Sequence, residues 1–285
     1  MNWNVCSIAR FTWSFGLRSR KVGRMTSVLC TASATANDAS KGASRDFQGR
    51  ISLQNGFVLH SRPYRESSLL LDVFTLDFGR LRLLAKGARK SKRGLHSLLQ
   101  PFVQLRLSWA GKGDLPVLTA AESIGGTSIK LSGPKLFCGF YVNELLLNFL
   151  PSRDPHPEVF DLYRNTLDQL AADDGMERIL RLFEVSLLGE MGYGMAFDRE
   201  ATSGQPIDPA KRYVYRIEEG PVENDERTAD SVGGATLLAL ERKTLNDPDE
   251  LQEAKHLMRR VINYYLNGKS LKSRDFFKQV TKSRP

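Results

Sequence analysis

Several things are missing from this chain, and each absence removes a class of protein. Across 285 residues no apolar run approaches the roughly 20 residues that a bilayer-spanning helix needs. Cysteine is scarce: Cys6, Cys30 and Cys138 are odd in number and far apart, and no CxxC pair occurs. Neither a disulfide framework nor a zinc site is expected, and a reducing, cytoplasmic setting fits that usage. The histidines (His60, His96, His156, His256) are scattered without an HxxxH pair. Asp154 and Glu158 are separated by a proline-rich loop, which gives little support to a two-carboxylate metal site. No nucleophile, base and oxyanion pocket can be assembled from the residues. No internal repeat is visible.

Two glycine patterns imitate nucleotide sites and fail on context. Asn267-Gly268-Lys269-Ser270 ends like a phosphate-binding loop, but the glycine required five residues earlier is Asn263, and a helix precedes the pattern where a strand should. Gly189, Gly192 and Gly194 run in the reverse order of a dinucleotide fingerprint and sit at a helix end, where they act as a helix stop. The chain is therefore expected not to be an enzyme and to need no cofactor.

What is present is charge, sharply segregated. Residues 1–46 carry 7 basic and 2 acidic side chains, and residues 47–130 carry 13 and 5. The block 131–254 reverses this with 12 and 24, and residues 255–285 return to 9 and 1. Such blocks imply a basic face built from both ends of the fold. The first 46 residues have no acid before Asp38 and are rich in Ser, Thr, Ala and Arg. They read as a basic, disordered extension outside the fold; on composition alone they also resemble an organelle transit peptide.

Beyond the extension, residues 47–130 read as a β domain. Residues 51–60 and Ser67–Leu76 are strand-like, and Asp77-Phe78-Gly79 makes a turn in which Gly79 can take positive φ. In Arg80–Lys86, Leu81, Leu83 and Ala85 face one way while Arg80, Arg82 and Lys86 face the other. Phe102–Trp109 and Leu115–Ala121 complete five short antiparallel strands, which predicts an OB-type barrel; a small open sandwich is the other solution. The third strand empties into a dense basic loop: Lys86, Arg89, Lys90, Lys92 and Arg93 place five charges in eight residues. A barrel that ends a hairpin this way is suited to a polyanion backbone.

From Gly133-Pro134 the pattern changes. Pro134 opens a helix to Leu150, Glu158–Ala172 and Met176–Met191 are amphipathic, and 198–232 is irregular apart from Arg212–Ile217. Arg212–Ile217 reads as an extended run, and Thr236–Arg242, Asp249–Leu266 and Ser273–Lys278 complete a domain, 131–285, expected to be otherwise all-helical. The expected fold class is α+β: a five-stranded OB-type barrel followed by that helical domain.

Three blocks in order now carry a resemblance over residues 50–280. They are FVLHSRPYRESSLLLDVFTLDFGRLRLLAKGARKSKRGLHSLLQPF, RILRLFEVSLLGEMGYG at Arg178–Gly194, and YYLNGKSLKSRDFF at Tyr264–Phe277. They resemble the RecO family of bacterial DNA repair and recombination mediators. The resemblance implies an adaptor that binds single- and double-stranded DNA and anneals complementary strands. It implies engagement of the acidic, phenylalanine-ended tail of the single-stranded DNA-binding protein and, with RecR, loading of RecA on coated DNA. Some members carry a four-cysteine zinc site after the GYG block; residues 195–232 hold no cysteine here. Another OB-fold factor, one that binds RNA, is the alternative reading.

Site residues follow. Lys86, Arg89, Lys90, Lys92 and Arg93 can neutralise phosphates without reading bases. Arg82 lies on the outer sheet face. Arg62, Tyr64 and Arg65 are placed in the loop between the first two strands, where Tyr64 is positioned to stack on a base. Lys269, Lys272 and Arg274 are candidates to extend the DNA track. For the partner tail, Leu180, Phe183 and Leu187 beside Arg178 and Arg181 offer an apolar slot with a cationic rim.

Overall fold

A barrel strand must satisfy two environments at once, and the alternation in residues 79–110 shows how this chain does it. The computed structural model describes residues 49–274, apart from 92–93, 225–227 and 229. Five strands, β1 (Arg50–Tyr64), β2 (Ser68–Thr75), β3 (Gly79–Ala85), β4 (Val103–Ala110) and β5 (Val117–Ser128), close in the order β1-β2-β3-β5-β4. All pairings are antiparallel except β3 with β5, where Leu84 meets Val117 in parallel and the Leu84 amide donates to the Pro116 carbonyl at 2.9 Å. Leu81, Leu83, Ala85, Leu105, Leu107 and Trp109 fill the interior with Val58, Leu71 and Val73. Arg82 and Arg106 point outward on the same strands. A short 3-10 turn (Ala88–Lys90) and α1 (Leu95–Leu98) connect β3 to β4.

Strand β2 breaks the alternation, since every residue after Ser68 is buried. Its inner residues fill the barrel, and its outer face is covered at one end by the helices that follow. These are α2 (Pro134–Phe149), α3 (Pro157–Ala172) and α4 (Met176–Glu190). Phe57 and Phe74, on the barrel's outside, meet Phe160 at 5.5 Å each, and Phe57 stands edge-on to Tyr163 at 5.1 Å. Each such buried ring contributes about 2–3 kcal/mol. A bulge in β1 skips Leu59 between Val58 and His60. The side-chain amide of Asn143 in α2 donates to the Leu59 carbonyl at 2.8 Å, and Tyr163 Oη donates to Asn143 Oδ1 at 2.7 Å. The barrel's outer face and the helices therefore share one core.

The carboxyl-terminal part is not all-helical. Strands β6 (Arg212–Arg216), β7 (Gly220–Glu223) and β8 (Ser231–Gly233) form a sheet in the order β7-β6-β8, followed by α5 (Gly234–Arg242) and α6 (Pro248–Tyr265). The extended run expected over Arg212–Ile217 is β6, while β7 and β8 are too short to show a period of their own, and Pro221 sits where only an edge strand accepts it. Tyr213 and Tyr215 bury one face of β6 in the helical core. Asp247 caps α6 by accepting from the amides of Asp249 (2.9 Å) and Glu250 (3.2 Å). The helix expected over Ser273–Lys278 begins near its expected start, and its remainder, like the extension 1–46, lies outside the described residues.

Between α4 and β6 the chain folds back through Arg199 and Pro206, with Glu200 as its fastener. The Ser203 hydroxyl and amide hold the Glu200 carboxyl down to about 2, well below an ordinary glutamate. Because the folded value is lowered, this stabilisation is present above about pH 4.5. It is lost as pH falls toward about 2. Glu200→Gln is expected to lower the thermal midpoint at neutral pH and to flatten the loss of stability across that window. Acid unfolding curves that superimpose for the two proteins would contradict this.

Candidate nucleic-acid interface and helical groove

At one end of the barrel two basic segments are stitched together. Strand β1 is longer than its apolar run, so Arg62 and Tyr64 are strand residues, opposite Leu70 and Ser68; only Arg65 lies in the turn. This corrects their expected place in the loop. Arg65 has φ 52° and stacks its guanidinium over the Tyr64 ring at 5.4 Å. The Arg89 amide donates to the Ser67 carbonyl at 2.9 Å, and its guanidinium reaches the carbonyls of Arg65 and Glu66 at 3.4 and 3.3 Å. Arg89 thus anchors the β1–β2 turn against the segment after β3. Lys86 and Lys90 are exposed there and have no acidic partner among the described residues. Lys92 and Arg93 lie outside those residues.

Arg82 is differently placed. Its Nε donates to Asp72 Oδ1 at 3.1 Å on the outer face of the barrel, and His60 Nδ1 approaches the other carboxylate oxygen at 3.8 Å. Burial raises the Asp72 pKa, but hydrogen bonds from His60 and Arg82 outweigh it and the carboxyl ends below its ordinary value. Asp72 stays ionised, so much of the Arg82 charge is already answered.

Lys269, Lys272 and Arg274 are tied to the helices. Lys269 Nζ donates to Asn148 Oδ1 at 2.6 Å, at the end of α2. Glu144 accepts from the amides of Lys272 and Ser273, each at 2.9 Å, and from the Ser273 hydroxyl at 2.6 Å. Arg274 bonds Asn263 Oδ1 at 2.8 Å and Tyr141 Oη at 3.1 Å, with its guanidinium over the Tyr141 ring. Those contacts run to α2 and α6, and of the three residues only Arg274 lines the helical groove.

That groove, a cavity of about 350 Å³, is walled by α2, α4, α6 and the 273–274 segment. Its floor is apolar, with Tyr141, Met176 and Leu180, and Arg181, Lys255, Arg259 and Arg274 supply charge. Lys255 pairs with Glu177, whereas Arg259 has no ion pair among the described residues. Arg181 is buried and bonds Glu184, which in turn accepts from Tyr141 Oη at 2.6 Å. Burial pushes the Glu184 carboxyl up, against the pull of Arg181. Arg181 Nε and Glu184 Oε2 are buried without hydrogen-bond partners among the described residues. Burial likewise pushes the neighbouring Cys138 thiol up to about 11, so it is not a ready nucleophile.

Of the slot expected along α4, only part lines this groove. Leu180 and Arg181 do. Phe183 and Leu187, further along the helix, are 1% exposed core residues, and Arg178 pairs with Asp173 at 2.9 Å away from the lining. Lys255 and Arg259 were missed; the only signal for them is their position on one face of α6, four residues apart. No helix among the described residues is long and apolar enough to cross a membrane, and no group of three or more His, Cys, Asp or Glu among them could hold a metal.

Fold and surface together define an α+β protein with a closed five-stranded barrel at its amino-terminal side and a cation-rimmed helical groove behind it. The family model described as recombination protein O N terminal matches residues 50–127, and that described as recombination protein O C terminal matches residues 131–275. The chain is 48% identical over 229 residues to a DNA repair protein RecO of Methylococcus capsulatus, covering 80% of this chain and 94% of that one. It is 45% identical over 233 residues to that of Nitrosococcus oceani (81% and 94%), and 43% identical over 240 residues to that of Dechloromonas aromatica (82% and 98%). The chain belongs to the RecO family of DNA repair and recombination proteins.

Proposed function

We propose that the chain is a non-enzymatic recombination mediator. It holds DNA on an OB-type barrel, anneals complementary strands, and with RecR helps load RecA on strands coated by the single-stranded DNA-binding protein. The observation that carries the reading is the stitching of the β1–β2 turn to the post-β3 segment by Arg89. It gathers Arg62, Tyr64, Arg65, Lys86 and Lys90 at one barrel end. Lys86 and Lys90 are point charges that neutralise phosphates without regard to sequence, as annealing of any strand requires. The strand order β1-β2-β3-β5-β4 is that of an OB-type barrel, which supports the same assignment.

The helical groove suits the acidic, aromatic-ended tail of the coat protein. Its apolar floor takes a ring, while Arg259, Arg274 and the unpartnered Arg181 Nε offer donors to carboxylates. Binding of a fluorescent peptide of that composition tests this half. Arg259→Ala is expected to weaken binding about 10-fold, as loss of a charge-assisted contact does. Arg178→Ala is expected to leave it within about twofold, since Arg178 is spent on Asp173. Equal effects of the two substitutions would overturn the placement. The whole function is tested by annealing of coated complementary strands, with the coat protein's tail intact or deleted. Activity indifferent to the tail would remove the partner from the account.

A further inference from the structure

Two helix ends meet on the surface of the helical part and carry aromatic rings to solvent. Helix α4 stops at Gly192 (φ 81°): its amide bonds the Gly189 carbonyl at 3.0 Å, and the Tyr193 amide reaches back to Leu188 at 2.8 Å. Helix α6 stops the same way, with Asn267 (φ 50°) bonded to Tyr264 at 2.9 Å and Gly268 to Asn263 at 3.1 Å. Both are paired 6→1 and 5→2 closures, the Schellman arrangement. Their outcome is a row of rings. Tyr193 and Tyr265 lie 4.3 Å apart with 30° between their planes, and Tyr264 stands edge-on to Tyr265 at 5.3 Å. Tyr193 and Tyr264 are 40% and 50% exposed, which a protein rarely tolerates in neighbouring rings without use for them.

We infer that Tyr193 and Tyr264, standing on Tyr265 beside Lys269, form a stacking platform for bases of a single-stranded nucleic acid, separate from the barrel end. Rings that already stack offer faces of the kind a base takes. No other described part of the chain lies within 4 Å of where side chains at Gly192, Gly194 and Gly268 would begin, so a flat ligand has room to approach. Lys269 is held by the neutral Asn148, which leaves its charge available to a phosphate. Glu218 takes the Tyr264 hydroxyl at 3.3 Å and fixes that ring by its edge. Planar stacking plus a neighbouring unanswered cation matches a single strand, whose bases are unpaired, and not a duplex. The inference rests on the nucleic-acid half of the proposed function and adds a second contact to it.

The test uses the full chain with a fluorescein-labelled single-stranded oligonucleotide and the corresponding duplex. Tyr193→Ala with Tyr264→Ala is expected to weaken single-strand binding about 5- to 20-fold, as loss of one or two stacked bases does, and to leave duplex binding within about twofold. Tyr193→Phe with Tyr264→Phe keeps the rings and is expected to retain wild-type affinity for both. Single-strand affinity unmoved by the alanine pair overturns the platform, and a partner protein is then the better occupant of the rings. Parallel loss on both probes overturns it too, because stacking discriminates the two. A wild-type chain that binds neither probe would remove the proposed function itself, a different outcome from tyrosine-independent binding.

Discussion

Gly79→Ala is expected to cost about 4 kcal/mol or more of stability, far beyond the ordinary penalty for adding one methyl group. Gly79 starts β3 with φ 62°, and a Cβ there would lie 1.9 Å from the Asp154 carbonyl oxygen. That oxygen belongs to the α2–α3 connection, which is laced to the same strand. The Arg153 amide donates to the Arg80 carbonyl at 2.7 Å, and Arg80 Nε donates to the Leu150 carbonyl at 2.9 Å. Neither backbone can retreat without opening the seam that also holds Phe74 on Phe160 and Asn143 on Leu59. Gly87 provides the control, because its φ of 67° is nearly the same but nothing lies within 4 Å of its virtual Cβ. Gly87→Ala should therefore cost only about 1 kcal/mol, the left-handed backbone term alone. Urea unfolding of the two variants measures the difference. Equal midpoints would show that the close approach at Asp154 relaxes at little cost.

How far the sequence foretold this arrangement varies with how many environments each residue serves. Strands β3 and β4 have one wet and one dry face, so Leu81, Leu83, Leu105 and Leu107 announce themselves by alternation. In β2 the same period is hidden, since Leu70 and Phe74 are buried on the outside while Leu69, Leu71 and Val73 are buried within. The loop position expected of Arg62 and Tyr64 failed for a related reason. Polar residues in a half-exposed strand look like a turn once the apolar run ends, and only the pairing with Leu70 and Ser68 shows that the ladder continues. In the small carboxyl-terminal sheet β6 is legible as the extended run Arg212–Ile217, but β7 and β8, of four and three residues, are too short to show a period. On α4 the helical spacing of Leu180, Phe183 and Leu187 makes a stripe, but a stripe has length. Its amino-terminal part, Leu180, reaches the groove, and its later residues, Phe183 and Leu187, lie in the core. Charge pairing was the least legible feature. Nothing local marks Arg82 as answered by Asp72, although the three-residue spacing of Arg181 and Glu184 on one helix does mark theirs, whereas Lys86 and Arg259 have no such partner among the described residues.

The largest functional effect is expected from the segment after β3, and the structure dictates which substitutions separate charge from architecture. Replacing Lys86, Lys90, Lys92 and Arg93 with alanine removes four cations and leaves the Arg89 stitch in place. If each neutralises one phosphate of a single strand, the slope of log affinity against log salt should fall by about 3. Affinity near 0.1 M salt should then drop about 100-fold or more. The thermal midpoint should hardly move, because Lys86 and Lys90 are exposed and make no ion pair among the described residues that the fold would miss. Arg89→Ala should behave differently. It removes one charge, so the slope should change by only about 0.7, but it also releases the carbonyls of Arg65 and Glu66 and loosens the turn that carries Tyr64. Annealing should suffer more from Arg89→Ala than its salt slope accounts for, and Arg89→Lys should restore the slope without restoring annealing, since one nitrogen, Nη1, makes both carbonyl bonds and a lysine Nζ sits one bond short of its reach. A quadruple variant with an unchanged slope would place the phosphate contacts elsewhere. An Arg89→Lys variant that anneals like wild type would reduce Arg89 to one more cation among the rest.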